Sequence, residues 1–423
     1  MIEFFIVITL AILETNHTSQ LNKKTLDIYV LWYYYISGLN ELECRSRRKT
    51  KMSVIVKEVP RFCKKNIVLM IALIAALITT IIVPVDKNYI GYFDFKTLTC
   101  LFCVLAVVCA LKNINFFYML AEQIVKLFKN ARFAILALIY ITFIGSMLIA
   151  NDMALLTFLP LGCFVLKTTG KKKYMAFTFI MQNIAANLGG MLTPFGNPQN
   201  LFLYSKFNIP TGEFMLTMLP TFVLSIAIIT ACCFIFVKKE PLELEGEEMH
   251  VSKTRTAIYL VLFAYSILIV FRFIPYWTGL IIIPTALLIL DKKALKMVDY
   301  PLLLTFCAFF IFSGNMARID AVQNVFQYLL DKSTLLFSII SCQFISNVPS
   351  AILLSQFTTD YKDLLLGVNI GGVGTLIASL ASLITLREYS KNNPGKTKKY
   401  ILMFTAFNFA FLVVLTAFQY VVK

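Results

Sequence analysis

The chain reads as an all-α polytopic membrane protein built as an inverted-topology repeat, with two re-entrant hairpins, two broken helices and about nine crossings. Three observations predict this. The composition is apolar and organised in long runs, the basic residues are distributed one-sidedly, and an internal repeat has copies separated by an odd number of crossings.

Hydrophobic residues make up 59% of the 423 and charged residues 15%, and the mean hydropathy is +0.77. A soluble domain carries about 25% charged residues. Runs near the roughly 20 residues needed to cross the hydrocarbon core are clearest at 66–84, 214–237, 256–272 and 400–420. The full set of predicted spans is 66–84, 97–111, 174–204, 214–237, 256–274, 277–290, 300–314, 364–386 and 400–421. With the N-terminus cytoplasmic, about four in five of the 39 Lys and Arg residues fall before the first span or in the inside loops, which is the insertion rule. The formal net charge of +16 is therefore a matter of topology, and no nucleic-acid partner is expected. The expected setting is the plasma membrane, with lipid as the solvent of the outer surface.

The elements follow in order. Residues 1–51 match nothing else in the chain: FFIVITLAIL is too short to span and lacks a positive n-region or cleavage site. They read as an extension outside the fold, an interfacial anchor being the other reading. Residues 52–237 form a first repeat, 238–276 a cytoplasmic loop and linking helix, and 277–423 a second repeat. Within the repeats, 131–168 and 333–357 are each flanked on one side by basic residues and carry an Asn motif near the middle. They are predicted to enter and leave by one face, with non-helical backbone tolerated only where protein or water satisfies it. An amphipathic stretch precedes each. In the first, Glu122 and Lys126 are spaced i, i+4 and are expected to face away from the apolar side.

The repeat is visible in three blocks. NLGGMLTPFGNPQNL from Asn187 aligns with NIGGVGTLIASLASL from Asn369, ANDMALLTFLPL from Ala150 with SNVPSAILLSQF from Ser346, and the pair Asp86, Asp94 with the pair Asp291, Asp299. Four crossings per half with one helix between them place the halves in opposite orientation, an arrangement of secondary transporters whose sites lie on interrupted helices at the midplane.

Gly189, Gly190, Thr193, Pro194, Gly196 and Pro198 interrupt a helix at that depth. The break frees backbone groups whose N-terminal ends favour anions and whose C-terminal carbonyls favour cations. Asn187, Thr193, Asn197, Gln199 and Asn200 add neutral donors and acceptors. Asn369, Gly371, Gly372, Gly374, Thr375, Ser379 and Ser382 repeat the scheme, and the tips contribute Asn151, Asp152, Ser346 and Asn347. Helix packing through small residues accounts for the glycines but not for amides in matched positions. A carboxylate at this depth is expensive and functional by default: Asp152 holds a cation or takes up a proton, its purely structural alternative being a cap on the returning hairpin arm.

The cysteines offer no competing chemistry. Ten are present, mostly inside apolar spans, and Cys100 and Cys103 of CLFC lack a matching pair or a nearby His, so no metal centre or cofactor is expected. His17 and His250 lie outside the spans. An enzyme is disfavoured because no nucleophile–base pair and no second acid at membrane depth accompanies Asp152.

These motifs, TPFGNPQN, NIGGVGT with ASLASL, ANDMALL and SNVPSAILLS, resemble the citrate-transporter-like members of the ion transporter superfamily over about residues 55–422. That superfamily includes divalent anion:sodium symporters, arsenite permeases and one class of sodium/proton antiporters. The resemblance implies a homodimer with a scaffold domain and a mobile transport domain working as an elevator. It also implies a small-molecule or ion substrate between tips and breaks, at Asn151, Thr193, Asn197, Asn200, Ser346, Asn347, Thr375 and Ser379. The coupling ion, sodium as a transient ligand or a proton, is expected at Asp152, Asn187, Gly196 and Asn369. The tips depart from the Ser-Asn-Thr of the dicarboxylate symporters: Ala150-Asn151-Asp152 is nearer the arsenite permease and antiporter branches. The function expected is cation-coupled transport of a small anion or carboxylate such as citrate. The alternatives are sodium/proton exchange or arsenite export and, in another class, an ion channel.

Overall fold

Polar residues at segment ends decide where each helix begins. The structure is a computed structural model that describes residues 66–242 and 252–422; the expectations for residues 1–51 lie outside them. The described residues fall almost wholly in one unit, Val68–Lys423, and among them the regular secondary structure is helical.

In the first half, α1 (Ile67–Ile82) leads through a short 3-10 turn to α2 (Phe95–Asn113) and α3 (Phe116–Lys126). Two helices, α4 (Ala131–Ile149) and α5 (Asn151–Thr168), meet at Ala150, and a helix is interrupted between α6 (Met175–Gly189) and α7 (Pro198–Lys206). The half closes with α8 (Thr211–Phe236), and α9 (Lys253–Val270) links it to the second. That half runs α10 (Tyr276–Leu290), α11 (Lys292–Met297), α12 (Tyr300–Met316), α13 (Asp320–Lys332), α14 (Thr334–Ile345) and α15 (Asn347–Leu354). It ends with the interrupted pair α16 (Tyr361–Gly371) and α17 (Leu380–Asn392), then α18 (Thr397–Val422).

The aligned sequence blocks make the same local bonds. Asp94 accepts from the Thr97 N–H at 2.9 Å and Asp299 from the Leu302 N–H at 3.0 Å. Asp86 and Asp291 likewise accept from the N–H groups of Asn88 and Lys293, and each is the cap that starts its element. Asn130 and Ser333 cap α4 and α14.

Gln182 of α6 donates to Thr142 on α4 and to the Phe158 carbonyl on α5, so α5 folds back along α4 from the corner at Ala150. Ser341 and Ser350 bond at 2.8 Å across the corner at Ser346. Both corner residues take positive φ, 67° and 75°, a conformation that costs about 1–3 kcal/mol in a non-glycine residue. What holds it is alike on both sides: Asn151 N–H donates to the Gly196 carbonyl at 3.1 Å and Asn347 N–H to the Ala378 carbonyl at 2.9 Å. Each tip is thus pinned to the break of an interrupted helix. Glycine makes the approach close enough. A Cβ on Gly189 would stand 2.2 Å from the Phe143 carbonyl, and one on Gly371 would stand 2.9 Å from Cys342.

Side chains gather the loops at two ends. At one, Asn113 bonds Asp291 at 2.7 Å, Arg132 the Val237 carbonyl at 2.7 Å, Lys171 Glu240 at 2.9 Å and Lys167 Asn392 at 2.6 Å. At the other, Arg318 pairs with Asp86 and Lys362 with Glu213, both at 2.8 Å. The first set joins loops expected to lie inside, the second those expected outside. Between the ends, large apolar side chains such as Ile81, Ile235, Ile289 and Leu402 are exposed on α1, α8, α10 and α18. A surface of that extent is one that lipid covers.

One expectation needs revision. Glu122 is buried and paired with the half-buried Lys126 at 3.2 Å, because α3 packs on both α4 and α5 and covers the acid. Among the described residues five helices (α2, α4, α8, α9 and α18) are long and apolar enough to cross a bilayer, α4 of the first hairpin among them. Its 19 residues reach about 28 Å at 1.5 Å per residue, nearly the core thickness. The 12 residues of α14 reach only about 18 Å.

Candidate functional site

The two corners and two breaks come together as a network of carboxamides. Asn151 closes its own corner, its Oδ1 accepting the Asp152 N–H at 2.9 Å, and Asn347 does the same for Val348 at 2.9 Å. Asparagine suits both places because its side chain is just long enough to cap the next N–H. Asn151 Nδ2 then donates to Asn187 Oδ1 at 3.2 Å on α6. Asn197, at the head of α7, donates to the Asn187 carbonyl and to Asn369 Oδ1, both at 3.2 Å. Asn369 on α16 donates back to Asn200 at 2.6 Å, and Asn200 donates to the Gly190 carbonyl at 3.2 Å. The two interrupted helices are therefore tied to each other. Asn187, Asn197, Asn200 and Asn369 are each at most 1% exposed, where every unmade bond is costly.

The predicted residues divide into two groups. Asn151, Asp152, Ser346, Asn347 and Ser379 line a cavity of about 690 Å³. Asn187, Gly196, Asn197, Asn200 and Asn369 stand behind it in the network. Thr193 and Thr375 also stand outside the lining, each clamping a break to a hairpin by donating to a carbonyl, Met147 at 2.7 Å and Gln343 at 3.0 Å. The cavity is polar along one floor and walled by Leu302, Phe309, Phe326, Phe344 and other apolar side chains; among the described residues no Lys, Arg or His lines it.

Its charge comes from backbone. The first-turn residues of four helices, Asn151 (α5), Pro198 (α7), Asn347 (α15) and Leu380 (α17), all line this cavity. Each helix N-terminus carries about half a positive charge. Among the described residues Asn347 Nδ2 donates no hydrogen bond, while its Oδ1 is occupied by Val348. The floor so presents donors to the cavity, with one carboxylate, Asp152, as an acceptor beside them.

Asp152 sits between two spaces. Its Oδ1 is buried with no hydrogen-bond partner, and a second cavity of about 50 Å³ is lined by both Asp152 and Asp299. Asp299 is itself exposed, and its place as the cap of α12 gave no hint of the juxtaposition. Gln343 was also missed. It donates to the Gly371 carbonyl at 2.8 Å and accepts from the Thr375 N–H at 2.9 Å, yet the residue aligned with it in the first half is Met147. Among the described residues no group of three or more His, Cys, Asp or Glu side chains could hold a metal ion.

Comparison with known proteins gives this geometry a setting. The uncharacterized transporter MJ0456 of Methanocaldococcus jannaschii is 33% identical over 347 residues, which cover 82% of this chain and 94% of that protein. The inner membrane protein YbiR of Escherichia coli K12 is 28% identical over 315 residues, covering 71% and 82%. A family model described as citrate transporter matches residues 54–360. The first interrupted helix, both hairpin corners and most of the cavity floor fall inside that range, and this multi-pass, all-helical membrane chain belongs to the citrate transporter family.

Proposed function

We propose that the protein is a secondary active transporter that moves a small anion or carboxylate of the citrate class, coupled to sodium or a proton. The observation that carries this reading is the meeting of four helix N-termini at one cavity, with the Asn347 amide donor on its floor. Four half-charges supply about two positive charges without any cationic side chain, enough to offset a dianion. The backbone cannot lose this charge by deprotonation, and it stays aimed at the ligand through any movement of the element that bears it.

The finer architecture belongs to the same reading. The bonds shared by the halves support an inverted repeat, with α4–α5 and α14–α15 as re-entrant hairpins. Nine crossings then follow if each interrupted helix counts once. An elevator would move hairpins and interrupted helices as one body, as their mutual amide bonds favour, against a scaffold that dimerises. We place the protein in the plasma membrane with its N-terminus cytoplasmic, 1–51 outside the fold, and 52–237 and 277–423 as the two repeats.

Purified protein in proteoliposomes should exchange radiolabelled citrate or a related carboxylate in counterflow, and sodium or pH gradients should drive its accumulation. Failure of every small carboxylate and oxyanion in a solute panel would overturn the anion reading. A second reading, sodium/proton exchange, is favoured by Asp152, a carboxylate whose buried oxygen has no partner, and whose cavity has no Lys, Arg or His, among the described residues. The same vesicles would report it as sodium-driven pH change without solute.

A further inference from the structure

Helix α13 separates two spaces. Its axis turns 97° from that of α12, so it lies across the end of that helix. Phe326, Leu329 and Leu330 line the 690 Å³ cavity, whereas Gln327, Leu330 and Asp331 line a second space of about 950 Å³. Helical spacing makes both faces, since 326 and 330 are one turn apart and so are 327 and 331. Ser333, Gln356, Thr358 and Asp360 complete much of the second space. It is a polar vestibule beside the pair of Lys362 with Glu213, at the end expected to face outside.

What divides the two spaces is thin and apolar. Leu330 lines both of them, yet it is only 3% exposed. Phe326 lines the cavity and Phe357 the vestibule, and their rings stack at 4.9 Å with an angle of 13° between planes. The same divide runs along the end of α15: Leu353 and Leu354 line the cavity, Ser355 and Gln356 the vestibule. The stack therefore joins α13, which precedes the second hairpin, to the segment that ends it. Both ends of α13 are tied, Arg318 bonding Asp86 at 2.8 Å and Tyr92 at 3.1 Å, and Ser333 bonding Tyr420 at 3.1 Å. A stacked ring pair is a modest attraction, sufficient to close a passage and weak enough to open again. In the first half the residue aligned with Phe357 is Leu161, so the stack has no counterpart at that position.

We propose that Leu330 and the Phe326–Phe357 stack form an apolar gate between the outer vestibule and the substrate cavity. Solute passes when the end of the second hairpin draws Phe357 away from α13. The assignment rests on the transporter reading for what passes, but not for the gate itself. A hydrated ion does not enter an apolar constriction without giving up its water, so the closed stack holds charged solute on one side or the other. The polar vestibule keeps an arriving solute hydrated until the rings part.

The test is access of a charged, impermeant methanethiosulfonate reagent to a single cysteine introduced as Thr305→Cys, on the cavity wall of α12. The full-length, otherwise cysteine-free protein is placed in sealed vesicles. Reagent is applied from the face on which Thr359→Cys, in the vestibule, reacts. With the gate intact the cavity cysteine should react slowly. Adding Leu330→Ala or Phe357→Ala should speed it about tenfold, the shift expected when such a contact is lost. Tyr328→Ala, 60% exposed on α13 and lining neither space, should leave the rate unchanged. If Phe357→Ala does not fold, Phe357→Leu decides, because removing the ring alone should still raise the rate. An unchanged rate in the gate variants overturns the proposal. So does a cavity cysteine that reacts as fast as the vestibule one with the gate intact, or an equal rise in Tyr328→Ala. Counterflow of carboxylate in the same vesicles separates the two readings. Gated labelling without exchange of any solute sinks the anion transporter and leaves the gate, and exchange with ungated labelling does the reverse.

Discussion

Asn151, Asn197 and Asn347 lie at the tips or at a break, and their amides organise the cavity floor from inside it or immediately behind. Replacing each by Ala removes hydrogen bonds worth roughly 1.5–3 kcal/mol to a charged partner, or about 10- to 150-fold in affinity. The expected result is a folded protein whose apparent KM rises by that factor, measured by uptake in vesicles. Asn347→Ala removes a donor, Nδ2, that is free among the described residues, together with the corner bond that its Oδ1 accepts from Val348, so thermal unfolding measured beside KM separates the two losses. Asp152→Asn keeps the shape and removes the charge. It should abolish dependence on the driving ion while solute exchange persists, and uptake under imposed sodium and proton gradients checks this. An Asn variant that still accumulates solute with wild-type ion dependence would make Asp152 a helix-start residue only.

At the scale of elements, the hairpins are held by closeness rather than by hydrophobic mass. Gly189 permits α6 to touch α4 at the Phe143 carbonyl, 2.2 Å from where a Cβ would be. Backbone cannot step aside as a flexible side chain can, so Gly189→Ala should cost about 1–3 kcal/mol by overpacking. Gly91, with nothing within 4 Å of its Cβ position, is the matched control, and thermal unfolding of both variants distinguishes them. The base of the first hairpin is tied by Glu240. Its carboxyl is held down to about 2 by hydrogen bonds from Lys173 and then Lys171, with Tyr174 adding a third. A carboxylate depressed in the folded state contributes stability above its ordinary value of 4.5 and loses it as pH falls through about 2. The stability gap between wild type and Glu240→Gln should therefore be present at pH 7 and shrink steadily below pH 4.5. Paired melting curves across that range measure it, and the exposed position of Lys173 keeps the gap modest.

Over the whole molecule, two sets of loop contacts define two ends. Cysteines placed at Lys171 or Asn392 in a cysteine-free background should react with an impermeant thiol reagent from one face of the membrane. Cysteines at Arg318 or Lys362 should react from the other, and labelling of both pairs from one side would defeat the inverted topology. Much of this was legible in the sequence. Apolar runs, basic loops and the breaks at Gly189–Pro198 and Gly371–Ser379 are local properties, set by hydration and backbone geometry, and they appear where composition places them. The alignment of Asp94 with Asp299 was visible because the same cap serves both halves. What only tertiary structure decided are the relations between distant segments. Thr193 and Thr375 became clamps rather than cavity lining because the hairpins come near enough to offer their carbonyls. Glu122 was buried because two helices cover it. Asp299 met Asp152, and Gln199 turned its donor to Asn369, because a side chain's partners depend on which elements pack beside it. Sequence spacing specifies a residue's face on its own helix, but a second helix decides whether that face meets water, lipid or another polar group.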